Sequence, residues 1–305
     1  MGSANFTLIG YDVLGTNQHE GIRYAWKHSS AVSLVESAAF TQHSKSSDNS
    51  VCGYTASVSS GCILNAKNLA CKFCRTGTQL PFGGLLTASE IAKQNVFMVL
   101  SDMYCSDHEV IRTNAREFAY MGQGEPGFSY RQVRDAIRLT NIAMKELGQQ
   151  VFRHIVATSG VPHMIRAYIE DLREDFFSSR TTMHFSLHGT TSVNSDQSFT
   201  TTMKDIKVIL SELDPVVYRL SFCEFNGYSD LGTFVPYDLS LSAEILAYAR
   251  NLGFEAKLFS SFGKDEVTAC GMLGGKHPDN VPSEKWLELE QLAEQIISSA
   301  ISTII

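Results

Sequence analysis

Residues 59–77 read SSGCILNAKNLACKFCRTG and set Cys62, Cys71 and Cys74 within thirteen positions of one another. A structural metal site wants four ligands, and this stretch offers three. Three readings are open. Three core thiols would be unusual at a Cys-x-x-Cys spacing in a loop. A structural zinc site would need Cys105 or a histidine as its fourth ligand. An iron–sulfur cluster held by three thiolates would leave one iron free for another ligand.

On the N-terminal side of the cysteines, SAVSLVESAAF reads as a β segment, TQHSKSSDNS (41–50) as a polar loop, and a strand begins near Val51. On the C-terminal side, TASE (Thr87 to Glu90) is a capping-box pattern that opens a helix over IAKQNVFMVL. REFAYMG is a buried strand ending in a glycine turn. Val133, Ala136, Ile137, Thr140, Met144 and Leu147 then share one helical face, which Gly148 stops. The alternation continues with VFRHIVATSG (strand), PHMIRAYIEDL (helix), TTMHFSLHG (strand), TMKDIKVILSEL (helix), VVYRLSFCEFNG (strand), SLSAEILAYARNLG (helix) and FEAKLFSSFG (strand). A closing helix over SEKWLELEQLAEQIISSAI is expected to pack on the outside. Strand–helix units of this length imply parallel strands with crossover helices. In such folds the working residues sit where strands end and loops begin. Those ends read MGQGEP, ATSG, SLHG and EFNG, all small and polar.

Composition narrows the function classes. The chain has 305 residues, 44% hydrophobic and 19% charged, enough for one large α/β domain or two ordinary ones with a real core. Twenty-five Lys+Arg against 32 Asp+Glu leave a net charge of -7, and no Lys/Arg run supplies a local basic patch for phosphate backbones. MGSANFTLIG lacks a basic region followed by an apolar stretch, and Phe6 breaks a myristoylation pattern. No apolar run has the length of a membrane span. Seven cysteines, an odd number with three clustered, fit metal or redox chemistry in a reducing compartment, so the cytoplasm is expected.

Position favours the iron–sulfur reading, because the cysteines follow the first strand of a β/α series and precede the glycine-containing strand ends. Together, SSGC…LACKFCRTG, LTASEI, FAYMGQGEP, VATSGV, FSLHG, Phe225-Asn226 and FGKDEVTACGMLGG resemble the radical S-adenosylmethionine (SAM) superfamily, and within it the RlmN and Cfr type of ribosomal RNA adenosine methylase. The resemblance runs from about Ala31 to Gly275. It implies an α/β fold, a partial (β/α)6-type barrel. It implies a [4Fe-4S] cluster on Cys62, Cys71 and Cys74, whose open iron chelates SAM. Gly124 and Glu125 would then hold the methionine amino end of SAM, and Ser159, Ser186, Leu187, His188 and Asn226 its other groups. Taken singly, Gly124-Glu125-Pro126 is a turn, Ser159-Gly160 a helix N-cap and His188 a core histidine.

By the same resemblance, Cys270 in TACGML matches the cysteine that carries a methyl group, and Cys52 in SVCGYT the second cysteine that resolves the covalent intermediate. Cys52 lies ten positions before Cys62 where the family has seven. Other departures are the eight-residue spacer ILNAKNLA, which must loop out for the thiolates to converge, and LFSSFG where the family is arginine-rich. The stretch between SLHG and Phe225-Asn226 is short, so the barrel is expected to be shortened by one β/α unit. No counterpart of the family's N-terminal RNA-binding domain is expected. The expected organisation is an N-terminal β extension over 1–50, a barrel core over 51–275, and a C-terminal helix over 276–305 packed on the core.

The expectation is a radical SAM methyltransferase acting on an unactivated carbon of a small molecule, nucleoside or peptide in a biosynthetic pathway. Its partners would be that substrate and an electron donor such as flavodoxin or ferredoxin, with neither RNA nor membrane. Within enzymes the alternatives are hydrogen abstraction without methyl transfer, or RNA adenosine methylation. Outside enzymes it is a zinc-stabilised binding protein.

Overall fold

In the computed structural model the described residues are 6–14, 21–42, 51–71, 74–105, 115–186, 203–216, 219–223, 239–259 and 273–304. Three antiparallel strands come first: β1 (Phe6–Leu14), β2 (Gly21–His28) and β3 (Val35–Gln42). β4 (Val51–Thr55) follows, then the short β5 (Ser59–Ser60), α1 (Ile63–Ala66), α2 (Arg75–Gln79) and β6 (Gly84–Leu85). The alternation proper runs α3 (Ala88–Cys105), β7 (Ala115–Tyr120), α4 (Tyr130–Glu146), β8 (Gln150–Thr158), α5 (Pro162–Arg173), β9 (Thr181–Phe185), α6 (Met203–Glu212), β10 (Arg219–Cys223), α7 (Leu239–Asn251), β11 (Glu255–Phe259) and α8 (Glu284–Ile304).

One nine-stranded sheet takes the order β1-β2-β3-β4-β7-β8-β9-β10-β11, with β5 and β6 forming a separate pair. The pairings from β1 to β4 are antiparallel, and those from β4 through β11 are parallel. Six parallel strands, each joined to the next through a helix, make the β/α series of a radical SAM type partial barrel. The expected loss of one unit is not found. Short as it is, the stretch after SLHG still holds α6 and β10, and β10 pairs directly with β9. The N-terminal strands continue the same sheet rather than standing apart from it.

Local chemistry explains the element ends. At the start of α3 the Thr87 N–H donates to Glu90 Oε2 at 2.8 Å while the Glu90 N–H donates to Thr87 Oγ1 at 3.3 Å, the reciprocal capping box read in TASE. α4 buries Val133, Ala136, Ile137, Thr140 and Met144 along one stripe. It ends with the Gly148 N–H on Lys145 O at 3.2 Å and the Gln149 N–H on Met144 O at 2.8 Å. This is a Schellman motif, and Gly148 supplies its φ of 65°. Pro162 opens α5, where its missing N–H costs nothing.

The core lies between the sheet and helices α3, α4 and α8. Trp286 of α8 packs on Tyr11 and Tyr24, with ring centroids 4.1 and 5.7 Å apart, and Trp26 meets Phe97 of α3 edge-on at 5.2 Å. Buried Lys93 of α3 joins three elements, donating to Phe6 O at 2.8 Å, Glu290 at 2.9 Å and Glu294 at 3.1 Å. Among the described residues no helix is long and apolar enough to cross a membrane.

His154 of β8 faces α4 and is fully buried. Its Nδ1 meets the Tyr120 hydroxyl at 3.1 Å and its Nε2 meets Asn141 Oδ1 at 2.9 Å. The carboxamide oxygen can only accept, so Nε2 carries the proton of a neutral ring. Burial pushes the pKa of His154 down to about 3. The unfolded chain, with an ordinary histidine near 6.5, therefore binds a proton that the folded chain excludes. Stability should fall as pH drops below about 6.5, at roughly 1 kcal/mol per pH unit from this group alone. Denaturant unfolding at pH 7 and pH 5 should show a smaller loss for His154→Gln than for the parent chain; equal losses would exclude His154 as the source.

Candidate active site

The site begins where β4 ends. Past Thr55 the chain stays extended against the loop that follows β7, with the Gly122 N–H on Ala56 O at 3.1 Å and the Val58 N–H on Gln123 O at 2.9 Å. Cys62 follows as the N-cap of α1. The spacer ILNAKNLA folds as this single helical turn and a return, with the Lys67 N–H on Ile63 O at 3.1 Å and the Leu69 N–H on Leu64 O at 2.8 Å. Asn68 takes the left-handed conformation at φ 56°, and Asn65 Nδ2 pins the turn to Leu80 O at 2.9 Å. The spacer thus loops out, returning Cys71 toward Cys62. Cys74 is the N-cap residue of α2, and its N–H donates to Cys71 O at 2.9 Å.

The three thiols feel one another. Burial first, then the charges of Cys74 and Glu125, push Cys62 up to about 11. Burial, then Cys74, Cys62 and Glu125, push Cys71 up to about 12. Burial also raises Cys74. Thiolates so placed repel each other and Glu125, so a shared cation is what would favour ionising them together. No group of three or more His, Cys, Asp or Glu among the described residues stands at metal-ligating geometry. The donor set, three soft thiols in one loop beside the strand ends, is of the kind an iron–sulfur cluster takes.

Facing the cysteine loop is the turn Gly122–Glu125. Gly124 has φ 103°, and a Cβ there would come 2.2 Å from Ser59 Oγ, so only glycine fits. Glu125 is buried and its carboxylate takes four donors. Oε1 accepts from the Gly127 N–H at 2.8 Å and Thr158 Oγ1 at 2.5 Å; Oε2 accepts from the Ser159 N–H at 2.9 Å and Ser159 Oγ at 2.8 Å. The Ser186 N–H donates to Thr158 O at 2.7 Å. Glu125, Thr158, Ser159 and Ser186 therefore form one hydrogen-bonded rim over the carboxyl ends of β7, β8 and β9, with Gly124 beside Glu125 in the turn. A charged ammonium entering this rim would meet the Glu125 carboxylate as an ion pair, which the neutral Ser159 hydroxyl does not supply.

Other expected site residues fall elsewhere. Leu187, His188, Asn226 and Cys270 lie outside the described residues. Leu273, three positions after Cys270, does touch the site: its carbonyl accepts from Thr76 Oγ1 of α2 at 2.6 Å. Cys52 is not brought to the rim. It sits near the amino end of β4, opposite Arg116 at the start of β7. By strand alternation it shares a face with Tyr54, whose hydroxyl reaches Asp102 of α3 at 3.1 Å. Burial, then Asp102, push the Cys52 thiol up to about 11. The position seven before Cys62 is Thr55. The sequence reading missed Thr158, Ser57, whose Oγ accepts from the Gln123 N–H at 2.7 Å, and Glu36. The first two had a signal in the small polar strand ends, whereas Glu36 had none, lying in an ordinary β-like run.

No family model matches the chain. Curated relatives do. The dual-specificity RNA methyltransferase RlmN of Magnetococcus marinus is 27% identical over 247 residues, 68% of this chain and 64% of that protein. The probable dual-specificity RNA methyltransferase RlmN of Petrotoga mobilis is 34% identical over 131 residues, 42% of this chain and 32% of its own length. That of Flavobacterium johnsoniae is 26% identical over 258 residues, 74% and 70% of the two chains. The chain thus spans less than two thirds of the length of the Magnetococcus and Petrotoga proteins. In fold it resembles the crystal structure of a radical SAM methyltransferase from Sphaerobacter thermophilus, with TM-score 0.56 and 19% identity over 89% of this chain and 82% of that one. In sequence the chain is similar to proteins named as dual-specificity RNA methyltransferases of the RlmN type, and in fold to a radical SAM methyltransferase.

Proposed function

We propose that the chain is a radical SAM methyltransferase holding its [4Fe-4S] cluster on Cys62, Cys71 and Cys74 and SAM along the rim of Gly124, Glu125, Ser159 and Ser186, with Leu187, His188 and Asn226 completing the SAM site. The observation that carries this reading is the looped-out spacer, which turns back through Asn68 between Cys62 at the head of α1 and Cys74 at the head of α2, beside the strand ends that carry Glu125 and Ser159. When bound, the cluster supplies the electron that cleaves an S–C bond of SAM to a 5′-deoxyadenosyl radical. The protein's own work is to bind and orient. Ser159 and the Gly127 N–H fix the Glu125 carboxylate, and the close approach at Gly124 seats that loop on Ser59. Such chemistry suits an unactivated carbon, which cannot attack a methylsulfonium as a nucleophile. An electron donor of the flavodoxin or ferredoxin kind would serve it. The N-terminal β extension over 1–50 and the helix over 276–305 would serve the catalytic core over 51–275.

Cys270 is the proposed methyl carrier, a thiolate being a competent nucleophile toward SAM. Cys52 is assigned a packing role with Tyr54 between β4 and α3. The substrate we favour is a small molecule, nucleoside or peptide. A net charge of -7 and the stretch LFSSFG, without arginine, offer a phosphate backbone little. The relatives, named as RNA methyltransferases, support RNA as the second reading.

Two experiments test these assignments. Anaerobic reconstitution with iron and sulfide should give about four irons per chain. Cys62→Ala, Cys71→Ala and Cys74→Ala should each lose the iron and SAM cleavage, while Cys52→Ala and Cys105→Ala keep both. Stoichiometric zinc without SAM cleavage, or loss of iron in Cys105→Ala as complete as in Cys71→Ala, would overturn the three-thiolate site. Second, purified protein should carry S-methylcysteine at 270, and Cys270→Ala should cleave SAM yet transfer no labelled methyl group to any acceptor in a metabolite or RNA fraction. Normal transfer by Cys270→Ala would promote hydrogen abstraction by another route, and label appearing only in RNA would move the substrate to the second reading.

A further inference from the structure

Glu36, on β3, is 1% exposed and lies outside the rim, yet it gathers three separate parts of the chain. Oε1 accepts from Arg23 of β2. Oε2 accepts from Gln123 Nε2 at 3.0 Å, in the turn that carries Gly124 and Glu125, and from the Gly275 N–H at 2.7 Å. Arg23 extends the tie, donating to Lys276 O at 3.0 Å and from Nε to Asp12 at 2.9 Å. Asp12 in turn accepts from the Asp279 N–H at 2.7 Å, and Asn280 pairs with Tyr11 on both backbone sides, at 3.0 and 3.2 Å. On its other flank the same segment meets the cysteine loop. Thr76 donates to Leu273 O at 2.6 Å, and a Cβ on Gly274 would come 2.6 Å from Arg75 Cδ. Residues 273–280 are thus clamped between the N-terminal strands and α2.

We infer that Glu36 is a positioning residue: through Gly275 and Gln123 it sets the segment following Cys270 in register with the SAM-binding turn and the cluster-bearing helix. This rests on the carrier reading of Cys270. The step served is the first methylation. The Cys270 thiol loses its proton to solvent and the thiolate attacks the methyl carbon of SAM. An S–CH3 bond forms, the sulfonium S–CH3 bond breaks, and S-adenosylhomocysteine leaves. In-line displacement needs near-attack geometry, so a small displacement of the carrier segment costs rate where binding of the cluster does not.

A carboxylate is the group this place requires. A buried anion must be fully paired, and Arg23 with two N–H donors does that. An isosteric amide cannot replace it. With its oxygen toward Arg23 it sets an NH2 against the Gly275 and Gln123 donors, and turned round it sets that NH2 against Arg23.

The test compares the parent chain with Glu36→Gln, and with Asp12→Asn as a milder variant at the outer end of the tie. Hydrogen exchange in the protein without cluster is read over 273–280 and, as internal reference, over α8. Glu36→Gln should speed exchange over 273–280 by about tenfold or more while α8 keeps its protection. After equal reconstitution, S-methylcysteine at 270 should fall by about tenfold or more, a larger loss than that of 5′-deoxyadenosine release from SAM under dithionite. Asp12→Asn should move both in the same direction by less. Unchanged exchange over 273–280, or faster exchange with unchanged methylation of Cys270, would overturn the inference. So would a uniform loss of protection with parallel loss of both activities in both variants, the mark of a merely structural role. A parent chain that never carries S-methylcysteine at 270 would instead refute the carrier reading, with the exchange arm still deciding whether Glu36 holds the segment.

Discussion

Three thiols brought together by one loop repel one another once ionised, and a cation shared among them offsets that repulsion. The loop after β4 builds this arrangement. Cys62 caps one short helix, Cys74 caps another, and the spacer between them turns back on itself through Asn68 so that Cys71 returns. The same loop lies against the turn carrying Glu125, whose charge also bears on Cys62 and Cys71. The placing of the rim, the need for glycine at 124 and the contacts to α2 all follow from seating that loop at the ends of parallel strands.

The strand–helix alternation was legible because its boundaries are local. The Thr87–Glu90 capping box, the Schellman end at Gly148 and Pro162 at the head of α5 are each short-range arrangements that a few residues define. The rim was legible for a related reason: strand ends in a parallel sheet lie side by side, so successive small polar ends converge. One reading failed where distance along the chain misled. The short stretch after SLHG suggested a missing unit, yet α6 and β10 fit within it. Cys52 matched by neighbourhood, but strand alternation turns it toward α3, and a shift of three positions along β4 separates it from the strand end.

Glu36 shows what sequence alone hides. It stands in an unremarkable β segment, and its significance comes only from partners 87 and 239 positions away in the chain. The N-terminal strands consequently do more than extend the sheet. Through Arg23, Glu36 and Asp12 they hold residues 273–280 against α2, so that the beginning and the end of the chain close on the cysteine loop from two sides.

The central claim, that three thiolates hold a cluster with one iron left for SAM, is tested most directly by electron paramagnetic resonance of the reconstituted, dithionite-reduced protein before and after SAM is added. The account predicts the signal of a reduced [4Fe-4S] cluster whose g-values shift when SAM binds. A reduced-cluster signal that SAM leaves unmoved would mean that all four irons already have protein ligands, and would contradict it.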